Sequence, residues 1–227
     1  MRKYSIPLIL IILLLLFNIS MPVLAEGLIE TKQKTILIDP GHGGFDGGAV
    51  SPGGVVEKDI NLKISLKLRE KLEKAGYKVF LTREDDRALC ENNKKIRNKK
   101  RIDLDKRSLM KSETNCDMFI SIHLNKFPQA KYYGAQVWYS SNPESIKLAH
   151  LIQSNFIIDL DSTNNRVEKP AKQDFKILRS YDTMPSVIIE CGFLSNANEE
   201  AKLKKDEYQD KIAESIKNSV IMFFGNL

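Results

Sequence analysis

The chain has 227 residues, of which 42% are hydrophobic and 28% charged, an ordinary balance for a globular protein that favours one domain with a short appendage. Its three cysteines, Cys90, Cys116 and Cys191, are an odd number without a Cys-x-x-Cys pair, which argues against a disulfide framework and a thiolate zinc site. Cys116 and Cys191 adjoin apolar runs, so we expect them to be buried free thiols, and we expect Cys90 to be more exposed.

Residues 1–25 differ in composition from the rest of the chain. Arg2 and Lys3 precede an unbroken apolar run, Leu8–Phe17, and a small residue, Ala25, stands at the end of the segment. This pattern predicts a secretory signal peptide, with an uncleaved membrane anchor as the alternative, and in either case export across the cytoplasmic membrane. Without this segment the formal charge falls from +6 to +4, because two basic and no acidic residues are lost, and the remainder is compatible with an anionic polymer nearby.

From residue 34 onward the apolar pattern predicts alternating strands and helices. The predicted strands are 35–39, 77–83, 116–125, 134–140, 175–178 and 186–193, and the predicted helices are 58–77, 143–160 and 207–224. The strand–loop–helix–strand order near the beginning is the unit of an α/β sheet. No internal repeat is present, so we expect one α/β domain over residues 34–227.

Five glycines surround a histidine in residues 41–48, directly after the first predicted strand. Such a loop either cradles a phosphate or lets the backbone bend so that His42 meets a metal. The loop does not end in Gly-Lys-Ser/Thr, and Asp46 stands where the third glycine of a dinucleotide-binding fingerprint would fall. The phosphate hypothesis is therefore weak.

The metal hypothesis rests on where the histidines lie. His42 follows one predicted strand and His123 lies near the end of another, and sites in α/β sheets form at the carboxyl ends of strands. Catalytic zinc usually has three protein ligands, so a carboxylate is needed, and the sequence leaves Asp46 and Glu57 as alternatives. His150 lies within a predicted helix, and we expect it to be a packed or exposed residue and no ligand.

Glu190 follows an apolar run in the predicted strand SVIIECGF and lies toward the end of that strand. A carboxylate in such surroundings is costly unless it is paired or functional, and partial burial would raise its pKa toward the range that suits general acid–base catalysis. A structural ion pair with a lysine is the alternative.

Two further features have more than one interpretation. The segment 94–107 carries eight basic residues and predicts a solvated helix face, with contact to anionic peptide or to an acidic partner as the alternative. Trp138 and Tyr139 are placed either in a sugar-binding cleft or in the core.

Several motifs together resemble a known family. DPGHGGFDGGAV, EKDINL, LTRED, FISIHLN, GAQVWY and IIECGFLSNANE, spread over residues 39–199, are similar to those of the zinc-dependent N-acetylmuramoyl-L-alanine amidases of the bacterial cell wall. The resemblance implies a mixed central sheet flanked by helices on both faces, zinc ligands at His42, Glu57 and His123, and a catalytic glutamate at Glu190. It therefore favours Glu57 over Asp46.

The implied reaction is hydrolysis of the amide between N-acetylmuramic acid and L-alanine in peptidoglycan. Within the family the chain most resembles the germination-specific amidases, which act in the spore cortex on the way to muramic-δ-lactam, and this implies a cell-wall or cortex location. The alternatives are another zinc-dependent peptidoglycan hydrolase and a catalytically silent wall-binding homologue. An accessory activator protein is a further expected partner, and no nucleic acid is expected.

Overall fold

The computed structural model describes residues 32–90 and 95–225. The predicted signal segment, residues 1–25, lies outside the described residues. Residues Gln33–Leu227 form one compact unit. Among the described residues, no helix combines the length and apolar character needed to cross a membrane.

The described part of the chain contains six strands and six helices. The strands are β1 (Thr35–Pro40), β2 (Lys78–Leu81), β3 (Met118–Asn125), β4 (Gln136–Tyr139), β5 (Lys169–Pro170) and β6 (Ser186–Phe193). The helices are α1 (Glu57–Lys74), α2 (Ile96–Glu113), α3 (Pro143–Asp159), α4 (Lys176–Arg179), α5 (Ala197–Leu203) and α6 (Asp206–Gly225).

All six strands form one sheet in the order β2-β1-β3-β6-β4-β5. The pairs β1–β2, β1–β3, β3–β6 and β4–β5 are parallel, and β4 runs antiparallel to β6. The sheet is therefore mixed, with helices on both faces, as the sequence predicts. Because β1, β3 and β6 are parallel, the groups that follow these strands meet at one edge of the sheet.

The long helices form where apolar residues recur every three or four positions. In α1, Ile60, Ile64, Leu68 and Leu72 are buried, acidic residues occupy the first turn and basic residues the last, which complements the helix dipole. The chain leaves α1 through Gly76, whose φ of 91° suits glycine. In α6 the predicted stripe of Ile212, Ile216, Val220 and Phe223 is buried.

Helices cover both faces of the sheet, but different ones. We call the face under α1, α3 and α6 the helix-covered face, and we call the opposite face, which carries the polar residues named below, the site face. On the helix-covered face, Ile36, Ile38, Ile120 and Ile189 project toward α1 and α3, and α6 packs on both of these helices. On the site face, alternate residues of the same strands, including Leu37, Phe119 and Ile188, pack against α2 and α4. The polar residues Asp39, Ser121, His123 and Glu190 share the parity of the site face.

The predicted strand at 175–178 is wrong. Residues Lys176–Arg179 form the short helix α4. Ile177 and Leu178 are both buried in the site-face cluster, and a strand would have directed them to opposite sides. A four-residue apolar run does not distinguish the two conformations by itself.

The prediction of a solvated face for 94–107 holds for part of the segment. Lys100, Arg101 and Lys106 are exposed on α2, whereas Arg107 is only 3% exposed. For Arg107 the prediction is wrong, because its guanidinium pairs with the buried carboxylate of Asp39. Lys94 lies outside the described residues.

Candidate metal centre

His42, Glu57 and His123 come together at the carboxyl edge of the sheet. His42 lies in the loop after β1, Glu57 is the first residue of α1, and His123 lies near the end of β3. Each offers one ligand atom, and these atoms all lie within 4.8 Å of one another. The structure thus brings together the three residues that the resemblance picks out for a metal.

One carboxylate oxygen is the centre of this group. Glu57 Oε1 lies 3.0 Å from His123 Nδ1 and 3.3 Å from His42 Nε2, and it also accepts the backbone amide of Leu124 at 3.0 Å. The second oxygen accepts the amide of Ala49 at 2.8 Å. Burial opposes the charge of Glu57, but hydrogen bonds and attraction from the two histidines outweigh it and hold the pKa of Glu57 far below its usual range.

Asp46, the alternative ligand, contacts His42 from the other side. Its Oδ2 lies 3.0 Å from His42 Nδ1, and its Oδ1 pairs with Lys100 at 2.9 Å. Burial disfavours the charged imidazole of His42, yet the hydrogen bonds to Asp46 and Glu57 raise the pKa of His42 to about 9. A carboxylate on Nδ1 orients the ring and leaves Nε2 to face Glu57 and His123.

The backbone at Gly41 passes so close to the ring of His123 that only glycine fits at this position. A Cβ on Gly41 would lie 2.4 Å from the imidazole of His123. The next residue, His42, has a φ of 63°, in the left-handed region that residues other than glycine rarely adopt. The glycine-rich loop therefore lets the backbone approach the ring of His123 closely and turn at His42.

The donor set fits a divalent zinc ion. Two imidazoles and one carboxylate are a known ligand set of catalytic zinc sites, which keep a fourth position open. One ring nitrogen of each histidine lies within 3.3 Å of the same carboxylate oxygen of Glu57, so these three residues would hold the cation. The site thus has the charge and the ligand types for the metal.

Glu190 lies beside this group. In the sheet it is the register partner of His123 on β3 and of Gln136 on β4. Its Oε2 is buried and has no hydrogen-bond partner among the described residues. Burial, reinforced by the charge of Glu57 and partly offset by the histidines, raises the pKa of Glu190 to about 7. No lysine pairs with it in the described part of the chain, which disfavours the structural ion pair.

Two small cavities adjoin the site. One of about 180 Å³ is lined by Leu104, Phe175, Ile177 and Ile188 and reaches Glu190 and His123. The other, of about 220 Å³, includes His42 and also reaches His123. A larger cavity of about 370 Å³, around residues 111–117 and 181–185, contains none of the four site residues.

The remaining candidates lie away from this site or in the core. His150 is 67% exposed and contacts Glu168, in agreement with its predicted role. Trp138 packs against Phe175, and Tyr139 packs against the cluster on the opposite face, so the core interpretation applies to Tyr139. Cys116 and Cys191 are buried free thiols, and Cys90 is partly exposed, as expected.

Several residues at the site escaped the sequence reasoning. Asn61 donates to Gly41 O at 3.2 Å and to Glu57 Oε1 at 3.4 Å. Asn61 follows Glu57 by four positions, and residues at this spacing are neighbours on a helix, so the sequence could have indicated this contact. Asp39 and Arg107 form a buried pair beneath the loop, and only the polarity of Asp39 at the end of an apolar strand hinted at this.

Comparison with known proteins agrees with this geometry. The family model described as Amidase_3, N-acetylmuramoyl-L-alanine amidase, matches residues 36–222. The germination-specific N-acetylmuramoyl-L-alanine amidase of Bacillus subtilis is 39% identical over 194 residues, which cover 84% of this chain and 80% of that protein. The amidase LytC of the same organism is 30% identical, and the match covers 84% of this chain but 36% of LytC.

A solved structure has the same fold. The CwlD amidase from Clostridioides difficile, in complex with the GerS lipoprotein, superposes with a TM-score of 0.83 at 45% sequence identity, over 86% of this chain and all of that one. The catalytic domain of CwlV from Bacillus (Paenibacillus) polymyxa gives a TM-score of 0.71 at 28% identity, over 85% of this chain and 99% of that one. The chain therefore belongs to the N-acetylmuramoyl-L-alanine amidase family.

Proposed function

We propose that this protein is a zinc-dependent N-acetylmuramoyl-L-alanine amidase that hydrolyses the amide between N-acetylmuramic acid and L-alanine in peptidoglycan. The observation that carries the proposal is the convergence of the ligand atoms of His42, Glu57 and His123 within 4.8 Å, with Glu190 in register beside His123. Membership of the amidase family supports the choice of the scissile bond.

In this proposal His42, Glu57 and His123 hold the zinc ion. When bound, zinc would polarise the scissile carbonyl and lower the pKa of a coordinated water. Asp46 fixes the ring of His42 through Nδ1, and Asn61 and the amides of Ala49 and Leu124 fix the carboxylate of Glu57. These contacts supply the oriented ligands that such a site needs.

Glu190 is the proposed general base and acid. Its burial raises its pKa to about 7, so near neutral pH it exchanges a proton readily. It takes a proton from the water that attacks the lactyl carbonyl carbon, and a C–O bond forms. It then delivers that proton to the amide nitrogen as the C–N bond breaks, which releases the amino terminus of L-alanine.

The apolar cavity beside Glu190 supports a substrate with small apolar groups near the reacting bond. The lactyl and alanyl methyl groups flank the amide of N-acetylmuramoyl-L-alanine. Leu104, Phe175, Ile177 and Ile188 line one part of a space of about 180 Å³ that would accept such a group, and Asp174 and Lys176 line another part.

We further propose that the enzyme acts in the spore cortex, where removal of the stem peptide precedes muramic-δ-lactam formation. The support is the similarity to the germination-specific amidase of Bacillus subtilis and to CwlD. Residues 1–25 would direct its export. Because the similar CwlD amidase was solved with the GerS lipoprotein, we also propose that an accessory protein assists this chain.

The test uses the chain from residue 26 onward, which includes the whole compact unit Gln33–Leu227. The protein is incubated with purified peptidoglycan with and without Zn²⁺, and new amino termini are identified by mass spectrometry. We expect zinc-dependent L-alanine termini and intact glycan strands. New termini at another residue, or loss of N-acetyl groups, would indicate a different zinc hydrolase.

The same assay tests the accessory protein. A protein that binds Zn²⁺ but releases no L-alanine termini by itself would support the need for a partner. Full cleavage of peptidoglycan by the purified chain alone would contradict that need and leave the amidase proposal intact. Absence of bound Zn²⁺ would contradict the ligand set.

A further inference from the structure

Three successive backbone carbonyl groups, beginning with that of the last residue of β1, accept hydrogen bonds from two buried arginines. The carbonyl of Pro40 accepts from Arg83 Nε and Arg107 Nη1, both at 2.9 Å. The carbonyl of Gly41 accepts from Arg83 Nη2 at 3.0 Å, and that of His42 accepts from Arg107 Nη2 at 2.6 Å. Arg83 is 2% and Arg107 3% exposed, so both guanidinium groups are removed from solvent.

The path of the chain explains why these carbonyls need donors. The amide of Gly41 still donates to Ile122 O at 3.0 Å, but at His42 the chain turns through a φ of 63°. A left-handed conformation at a residue with a Cβ is costly and persists only when its surroundings hold it. A buried carbonyl without a donor would add a further penalty, so the arginines stabilise this turn.

Arg107 is itself held on several sides. It donates to Asp39 Oδ1 at 2.7 Å and to Asp103 Oδ2 at 2.6 Å. Asp39 in turn accepts from the hydroxyl groups of Thr82 at 2.6 Å and Ser121 at 2.7 Å. These contacts fix the guanidinium group relative to the neighbouring strands. Its hydrogen bond to the carbonyl of His42 in turn fixes that carbonyl.

Arg83 connects the same loop to the helix that carries Glu57. Its Nη2 donates to Lys58 O at 2.8 Å as well as to Gly41 O. A Cβ on Gly43 would lie 2.4 Å from the backbone oxygen of Arg87 and 2.8 Å from Arg83 Cδ, so the glycine makes room for both. Arg83 thus links the backbone beside two of the proposed ligands, His42 and Glu57.

We propose that Arg83 and Arg107 are positioning residues that hold His42 in the geometry for metal binding, through the backbone of residues 40–42. This inference rests on the proposed zinc site. No hydrogen bond joins either arginine to the ligand atoms in the described residues, so they act through the loop. A planar guanidinium donates in several fixed directions at once, which the single nitrogen of lysine does not reproduce.

The test is Arg107→Lys in the full chain, which keeps the charge and removes the fork of donors. The affinity for Zn²⁺ is measured by competition with a chromophoric chelator, and the visible absorption of the Co²⁺-substituted protein reports the ligand geometry. We expect about 10- to 100-fold weaker Zn²⁺ binding and an altered Co²⁺ spectrum. Arg101→Lys, at an exposed position of the same helix, is the matched control and should bind as the wild type does.

Thermal unfolding of the metal-free proteins separates positioning from simple stabilisation. A residue that only stabilised the fold would lower the unfolding temperature and leave the Zn²⁺ affinity and Co²⁺ spectrum of the folded protein unchanged, and this result would overturn the inference. If Arg107→Lys does not fold, Arg83→Lys takes its place with the same two outcomes. A wild-type protein that bound no Zn²⁺ would overturn the proposed function together with this inference, whereas equal affinities would overturn this inference alone.

Discussion

The two faces of the sheet are made from alternate residues of the same strands but serve different purposes. On the helix-covered face, β1 and β3 contribute only buried aliphatic side chains and methionine, from Ile36 to Leu124. On the site face β1 carries Thr35, Leu37 and then Asp39, and β3 begins with Phe119 and continues with polar residues. Both strands are thus apolar along one face, and on the other face each carries polar residues toward its carboxyl end.

The helices that cover the two faces differ in the same way. The helix-covered face is closed by α1, α3 and α6, which present aliphatic and aromatic residues. The site face is closed by the basic helix α2, which buries Arg107 and Lys111. One face therefore supplies most of the hydrophobic stabilisation, and the other accepts buried charge in order to hold a site.

The strongest test of this division is Glu190→Gln on the site face. The substitution removes the proposed base and keeps size and polarity, so we expect kcat to fall by about 10²- to 10⁴-fold while Zn²⁺ stays bound. Release of L-alanine termini and the metal content of the purified protein are the two measurements.

His123→Ala is the companion variant for Glu190→Gln. It removes a proposed ligand, so turnover and Zn²⁺ binding should both be lost. If Glu190→Gln lost Zn²⁺ as completely as His123→Ala does, the separate roles of the two residues would be wrong.

The converse test is made on the helix-covered face with Leu148→Ala in α3. Leu148 is fully buried, so the cavity left by the substitution should lower the free energy of unfolding by about 2–5 kcal/mol. The kcat of the folded fraction should stay unchanged, because the residue packs on the face opposite Glu190. Denaturant unfolding and the amidase assay check the two statements.

Ile158→Ala is the control on the same helix. Ile158 is 76% exposed, so its truncation should change the free energy of unfolding by less than about 0.5 kcal/mol. A clear fall in the kcat of folded Leu148→Ala would contradict the prediction, because it would show that packing on one face affects the site on the other.

The sequence predicted the strands that carry the site but not the division between the two faces, and the reason is physical. The apolar runs of β3 and β6 are local features, so both strands were predicted, but each run is buried almost throughout and has no apolar–polar alternation to show which residues face the site. The choice between Asp46 and Glu57 depended on how far α1 starts from β3 in space, and residue spacing does not contain that distance. Both residues turned out to contact His42, on opposite sides of its ring.

The basic helix shows the same limit more sharply. Composition makes a charged segment look solvated, and Arg101 and Lys106 are indeed exposed. Arg107 is buried because Asp39 lies beneath it, and the two are 68 positions apart in the chain. Only the tertiary fold brings such partners together, so the pair was not predictable from a single sequence.

A smaller effect is expected from Lys111, the second buried cation of α2. Its amine donates to Ile177 O at 3.0 Å and Ser180 O at 2.8 Å, and it lies 4.8 Å from the centre of the Phe119 ring. Burial lowers the pKa of Lys111 from 10.5 to about 8. Between these values the unfolded chain binds more protons than the folded chain, so this residue makes the free energy of unfolding rise with pH.

The measurement is the free energy of unfolding of the wild type minus that of Lys111→Met, from pH 7.5 to 10.5. We expect this difference to increase with pH by up to about 3 kcal/mol, since each unit of pKa shift corresponds to about 1.4 kcal/mol. Lys106→Met, at an exposed position of the same helix, is the matched control. If the difference for Lys111→Met did not change with pH, burial of the charged Lys111 amine on the site face would not be unfavourable, and the prediction would be wrong.

The smallest effect is expected from the one histidine that lies outside the site. His150 on α3 is 67% exposed, and its Nδ1 lies 3.0 Å from Glu168 Oε1. Because exposed ion pairs contribute about 0–1 kcal/mol, His150→Ala should leave kcat and Zn²⁺ content unchanged and lower the free energy of unfolding by at most that amount. His42→Ala and His123→Ala should lose Zn²⁺. Comparison of the three variants tests whether only the histidines at the carboxyl edge of the sheet bind the metal. Zinc loss in His150→Ala equal to that of the other two would contradict the assignment of the site to that edge.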